Sequence, residues 1–173
     1  LKFIIFIFLT IILILLKIFL QFFTKKLSQT IVQIFHKLVL WLVNINVEVI
    51  GNRNLKNEPT LFVSNHLSYL DIPVLGSIIN GRFIAKDDIS NWPIIGLLSK
   101  VGNTIFVNRN LSFLKKNKSI IYDYISEGNN VILFPEGTTS DGIRVLRFKS
   151  SLFTSLEQKN ILIQPIVIKY VSI

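Results

Sequence analysis

The chain has 173 residues, half of them hydrophobic, a formal net charge of +9 and no cysteine or methionine. That length allows one compact α/β domain and a short N-terminal appendage. The absent cysteines exclude disulfides, a cysteine nucleophile and thiolate metal sites, and the scattered basic residues form no zinc-finger, RNP-type or basic-helix pattern, which leaves a membrane or a phosphorylated substrate rather than nucleic acid as the matching partner.

Residues 1–23, LKFIIFIFLTIILILLKIFLQFF, carry two lysines and almost no other polar group. About 20 apolar residues suffice to span a bilayer as a helix, so the segment is expected to be a membrane anchor, with Lys17 snorkelling to the interface. The competing signal peptide lacks a small-residue cleavage site, since the single alanine is Ala85. Lys25 and Lys26 after the run place the downstream domain on the cytoplasmic side by the positive-inside rule, which in a bacterium means the inner membrane. Residues 27–43, LSQTIVQIFHKLVLWLV, put Leu27, Ile31, Ile34, Phe35, Leu38, Trp41 and Leu42 at helical spacing. They form either a helix packed on the domain or an interfacial amphipathic helix with Trp41 at headgroup level. His36, beside Lys37 with no nearby carboxylate, reads as a surface residue.

From residue 46 to 173 the pattern changes to that of a domain. Short β-branched runs (NVEVI, TLFVS, RFIAK, TIFVN, NVILF and ILIQPIVIKY) alternate with helical candidates over 71–80, 91–99, 111–127 and 148–158. Such alternation predicts an α/β fold, a mixed sheet flanked by helices. The final QPIVIKYVSI reads as a strand with nothing after it, so the domain is expected to be truncated at its C-terminus.

Three polar loops follow predicted strands, and ligands gather where loops leave the strands of such sheets. SNHLSYLD (64–71) spaces His66 and Asp71 five apart, which matches either a proton-handling pair or a helix-capping turn. FPEGTTSDG (134–142) sets Glu136 beside Gly137, Thr138 and Thr139, either to hold an oxyanion through backbone N–H groups or as a long surface turn. Arg109 follows TIFVN as a fork donor suited to phosphate, and Lys149, with Arg144 and Arg147, adds positive charge. No P-loop, G-x-S-x-G, G-x-G-x-x-G or H-E-x-x-H motif is present.

The order H-x4-D, then GNTIFVNR (102–109), then FPEGTTS (134–140), then QPIV (164–167) resembles the glycerophospholipid acyltransferases, over about residues 46–170. AKDDISNWPIIG (85–96) is similar to that family's segment between the first two motifs. The resemblance implies a membrane-bound O-acyltransferase using acyl-CoA or acyl carrier protein as donor, membrane lipids as partners, and no metal or further cofactor. It implies His66 as general base, Asp71 as its orienting carboxylate, and Arg109, Glu136, Gly137, Thr138 and Lys149 as acceptor contacts. The acceptor so implied is 1-acylglycerol-3-phosphate. Two departures matter: Thr139 stands where phosphatidic-acid-forming members have arginine, and Ser151 where F-K-x-G has glycine. The wording FPEGTTSDG…RVLRFKSSLF looks like the lyso-ornithine-lipid acyltransferases, whose acceptor is a zwitterionic aminolipid. A non-catalytic membrane lipid-binding module on the same fold is the alternative from another class.

Overall fold

The computed structural model describes residues 1–20, 22, 24–51, 58–107, 120–150, 153, 156 and 160–171. Five strands build its sheet: β1 (Thr60–Ser64), β2 (Gly81–Lys86), β3 (Ile105–Val107), β4 (Asn130–Leu133) and β5 (Leu162–Ile166), in the order β3-β2-β4-β1-β5. A parallel strand buried on both faces reads as a continuous apolar run rather than an alternating one. LFV of β1 and VIL of β4 are such runs, and they pair at the centre with Leu61 opposite Val131 and Val63 opposite Leu133. Leu61, Val63, Val131 and Leu133 face one layer with Ile105, Ile121 and Ile125. Phe62 and Ile132 face the other, with Leu75, Ile79, Phe83 and Phe134.

The expected mixed sheet is corrected: every pairing among the described strands is parallel. The cause is the connections. Helix α3 (Asp71–Ile78) carries the chain from β1 to β2, and a 3-10 turn (Asp87–Asn91) with α4 (Ile95–Val101) carries it from β2 to β3. Helix α5 (Ile120–Ser126) leads into β4. Such crossovers return the chain to the edge it left, so successive strands run the same way. Gly128 closes α5 in the left-handed region at φ +85°. Residues 111–119 and most of 148–158, both expected to be helical, lie outside the described residues.

The NVEVI run does not form a strand. Asn44 ends the preceding helix in a left-handed conformation, and the chain beyond stays unpaired with Val47, Val49 and Ile50 exposed. Its alternating pattern met no partner strand among the described residues, and β-propensity without a partner does not make a sheet.

The two N-terminal helices, α1 (Lys2–Leu20) and α2 (Lys25–Val43), form an antiparallel hairpin. Lys2 Nζ lies 4.7 Å from the Trp41 ring, and Phe6 meets Phe35 at 6.4 Å. Helix α1 is long and apolar enough to cross a membrane, while α2 packs on α3. Two expectations change here. Lys17 does not reach outward: it is buried against the domain, with Nζ donating to Asn103 Oδ1 at 3.3 Å. His36 is not a solvated surface residue either but a half-buried one. Its ring meets Phe83 edge-on at 6.0 Å and covers Gly76, where a Cβ would lie 2.3 Å from the imidazole. Burial pushes its pKa down to about 4.

Candidate active site

Because β1 and β4 are neighbours running the same way, the loops at their C-terminal ends emerge side by side. The β1 loop carries His66, and the first residue of α3 is Asp71. Residues five apart do not share a face of a regular helix, so the turn between strand and helix is what brings the pair together. His66 Nδ1 lies 2.8 Å from Asp71 Oδ2.

Asp71 is fully buried, and it is surrounded by donors. Oδ2 accepts the Leu67 N–H at 2.6 Å and the Ser68 N–H at 3.0 Å, and Oδ1 accepts the Tyr170 hydroxyl at 2.7 Å. Burial pushes its pKa upward, but the hydrogen bonds from His66, Ser68, Tyr170 and Leu67 outweigh it and hold the carboxyl below its ordinary value. The Tyr170 phenol is pushed up by burial, then by its bond to this carboxylate and the charge there. An anionic Asp71 is therefore the resting state of the site.

The peptide of His66 is held at both ends by the β4 loop. Its N–H donates to Glu136 Oε1 at 2.8 Å, and its carbonyl accepts the Ser140 N–H at 2.8 Å. Glu136 Oε2 accepts the Leu146 N–H at 2.7 Å, so each oxygen of this buried carboxylate holds a backbone group. The imidazole lies flat on Phe134, centroids 4.1 Å apart and planes 15° from parallel. With Nδ1 on Asp71 and one face on Phe134, Nε2 is the nitrogen left for a substrate.

His66 opens on a cavity of about 800 Å³. Leu13 and Ile14 of α1, Val32 and Phe35 of α2, and Ile95 and Leu98 of α4 give it an apolar lining. Gly137, Thr138, Thr139 and Lys149 line it as well. Gly137 takes φ +67°, which suits glycine at the turn that exposes the two threonines. Thus His66, Asp71, Gly137, Thr138 and Lys149 gather at one site. Glu136 stands behind it, and Arg144 and Arg147 are exposed. Arg109 lies outside the described residues.

Sequence reasoning missed Tyr170 and Asn65. The Asn65 side chain donates to Ile168 O at 3.0 Å and accepts the Ile168 N–H at 2.8 Å, which fixes the chain beyond β5 and sets Tyr170 over Asp71. The one available signal was the asparagine beside the histidine, and it does not name a partner a hundred residues on.

A family model described as Acyltransferase matches residues 46–169. The chain is 36% identical over 146 residues to a lyso-ornithine lipid O-acyltransferase of Rhizobium meliloti, a match covering 80% of this chain and 50% of that protein. It is 32% identical over 135 residues to a 1-acyl-sn-glycerol-3-phosphate acyltransferase of Neisseria meningitidis, covering 76% and 52%. The chain thus spans about half the length of the curated relatives it matches. The crystal structure of the 1-acyl-sn-glycerophosphate acyltransferase from Thermotoga maritima shares the fold, with a TM-score of 0.68 at 24% identity over 91% of this chain and 68% of that one.

Proposed function

The chain belongs to the acyltransferase family, and from that membership we propose that it moves an acyl group from a thioester donor to the hydroxyl of a lysolipid at a membrane. The observation that carries this reading is the His66–Asp71 pair, 2.8 Å apart, opening on an apolar cavity of about 800 Å³. A cavity of that size and lining suits an acyl chain.

In this mechanism His66 Nε2 takes the proton of the acceptor hydroxyl as its oxygen attacks the thioester carbonyl. Asp71 accepts the Nδ1–H, fixes the tautomer and stabilises the imidazolium that forms. Collapse of the tetrahedral intermediate breaks the C–S bond, and the departing thiolate takes the proton back from His66. An ester and a free thiol result. The substrate hydroxyl stands in for a protein nucleophile, so none is needed. Gly137, Thr138 and Lys149 contact the acceptor, Arg109 binds its phosphate, and Glu136 acts by holding the His66 peptide. Acyl-CoA or acyl carrier protein supplies the acyl group. Helix α1 anchors the chain in a bacterial inner membrane, with the domain on the cytoplasmic side.

The acceptor we propose first is 1-acylglycerol-3-phosphate, because Lys149 lines the cavity and the chain carries a net charge of +9. Lyso-ornithine lipid is the second reading, favoured by Thr139 at the family's arginine position and by the 36% identical relative of that name. Membranes from expressing cells, given labelled acyl donor and each acceptor in turn, decide between them. On the first reading lysophosphatidate is preferred, Arg109→Ala lowers its catalytic efficiency by roughly 10–150-fold, and Thr139→Arg raises it. Preference for the aminolipid by about tenfold or more replaces the first acceptor with the second. No transfer to either acceptor from either donor overturns the reading.

A further inference from the structure

Beside the cavity mouth, the segment after the 3-10 turn presents apolar side chains outward. Ile94 is 74% exposed and Leu97 60%, with Trp92 and Ile95 also exposed. Tyr69, from the His66 loop, adds a fifth large group, its ring 6.4 Å from that of Trp92. Scattered apolar residues on a surface need no account, but a cluster of this kind does.

The backbone here is unusual as well. Ile94 has φ +62° and ψ −61°, and the Ile95 N–H reaches back to Pro93 O at 2.6 Å. That is the rarer γ-turn, a conformation costly for any L-residue and most of all for a β-branched one. Its neighbours hold it. The Gly96 N–H donates to Trp92 O at 2.9 Å, and a Cβ on Gly96 would lie 2.5 Å from Ser90 O, so the turn is pinned to the 3-10 segment below. A rigid, strained turn thus holds an isoleucine at its tip in water. Strain retained at an exposed position points to a use for it.

We propose that this turn, Trp92 to Leu97 with Tyr69, is a second membrane contact that inserts into the lipid monolayer at the cavity mouth. Aliphatic side chains at a tip, rimmed by Trp and Tyr, match the chemistry of the bilayer interface. Helix α4 touches α1, and α1 and α4 line the same cavity, so the patch continues the apolar surface of the N-terminal helix. Asp87 and Asp88 stand exposed next to it, which disfavours an acidic carrier protein as the occupant. Tyr69, Trp92 and Ile95 also line the cavity, so an inserted turn brings the cavity mouth to lipid depth. A lysolipid then reaches His66 without crossing water.

The inference takes membrane attachment through α1 from the reading above, but its test needs no turnover. Trp41→Phe leaves Trp92 as the single tryptophan, because the chain has two. The full chain is bound to zwitterionic phosphatidylcholine vesicles brominated high on the acyl chains, and attachment is checked by flotation. The expected result is loss of Trp92 emission on the brominated vesicles. The pair Ile94→Asp with Leu97→Asp restores the emission while the protein still floats. Ile94→Gly, which relieves the turn, raises the melting temperature and weakens the quenching. Unquenched Trp92 in a floating protein overturns the proposal, as does failure to float. Quenching that survives Ile94→Asp with Leu97→Asp comes from a chain inside the cavity and overturns it too. So does a Trp92 signal that responds to acyl carrier protein and not to bromine.

Discussion

The hydroxyl of Tyr170 donates to Asp71 Oδ1 at 2.7 Å, joining residues 99 positions apart behind the imidazole of His66. Tyr170 touches no reacting atom in the proposed mechanism and acts through Asp71. Removing its hydrogen bond leaves the carboxylate a stronger acceptor for the imidazolium. In Tyr170→Phe the acid limb of the pH profile of kcat/KM is therefore expected to move to higher pH, by a few tenths to about one unit. A lower rate with an unmoved profile would mean that the hydroxyl only braces the fold.

Replacing the proposed base should stop the chemistry. His66→Ala is expected to lower acyl transfer by roughly 10²–10⁴-fold, with membrane association nearly unchanged and the melting temperature lowered by loss of the imidazole bond to the buried Asp71 carboxylate. Asp71→Asn should lower it similarly, and it should also destabilise the fold. Its amide cannot accept from Leu67, Ser68, Tyr170 and the imidazole together, and a buried group left unpaired costs about 1–3 kcal/mol. Activity and thermal melts on the same preparations separate the two effects.

Glu136→Gln tests a different role. One of the two backbone N–H groups on Glu136, from His66 or Leu146, would then face an amide NH₂ instead of an oxygen. The expected outcome is a loss of about 1–3 kcal/mol in stability and a lower kcat that saturating acceptor does not restore. Full rescue by acceptor would make Glu136 a substrate ligand.

The third-motif glutamate shows where reading the sequence reached its limit. FPEGTTS was legible as a functional loop, and its carboxylate looked ready for a ligand. Only the fold reveals that both oxygens serve the backbone. The strands TLFVS and NVILF were legible because a strand covered on both faces needs an unbroken apolar run. NVEVI carried the same local preference and found no partner. Parallel pairing among the described strands, Lys17 turned inward and His36 packed on Phe83 all depend on what packs against what. His66 and Asp71 were visible together because they are neighbours in sequence. Tyr170 and Asn65 join the site through contacts spanning about a hundred residues, which no local pattern encodes.

The burial of His36 against Phe83 predicts an acid-sensitive fold. The unfolded chain binds a proton near the ordinary value of 6.5, whereas the folded chain resists it until about pH 4. The folded pKa is the lower one, so its contribution is complete above pH 6.5 and is lost as pH falls through that window. The loss amounts to at most about 3 kcal/mol. Asp71, also depressed, adds a further loss below its ordinary 3.8. Melting temperatures in detergent should fall from pH 6.5 to pH 4, and His36→Gln should flatten that slope while leaving the more acidic loss in place.

The distances along the chain between the parts of the site have a kinetic meaning. His66 is clasped by residues 70 or more positions later, and Asn65 and Tyr170 meet partners 103 and 99 positions away. Closing loops of that length is slow, and contacts of high sequence separation form late. A ribosome-bound chain that has released its hydrophobic helices and the first four strands still has no phenol on Asp71 and no edge strand beside β1. On the proposed function, the nascent protein can meet the membrane well before the His66–Asp71 site is complete. Arrival at the bilayer and assembly of the His66–Asp71–Tyr170 cluster are thus separate events, and docking of β5 divides them.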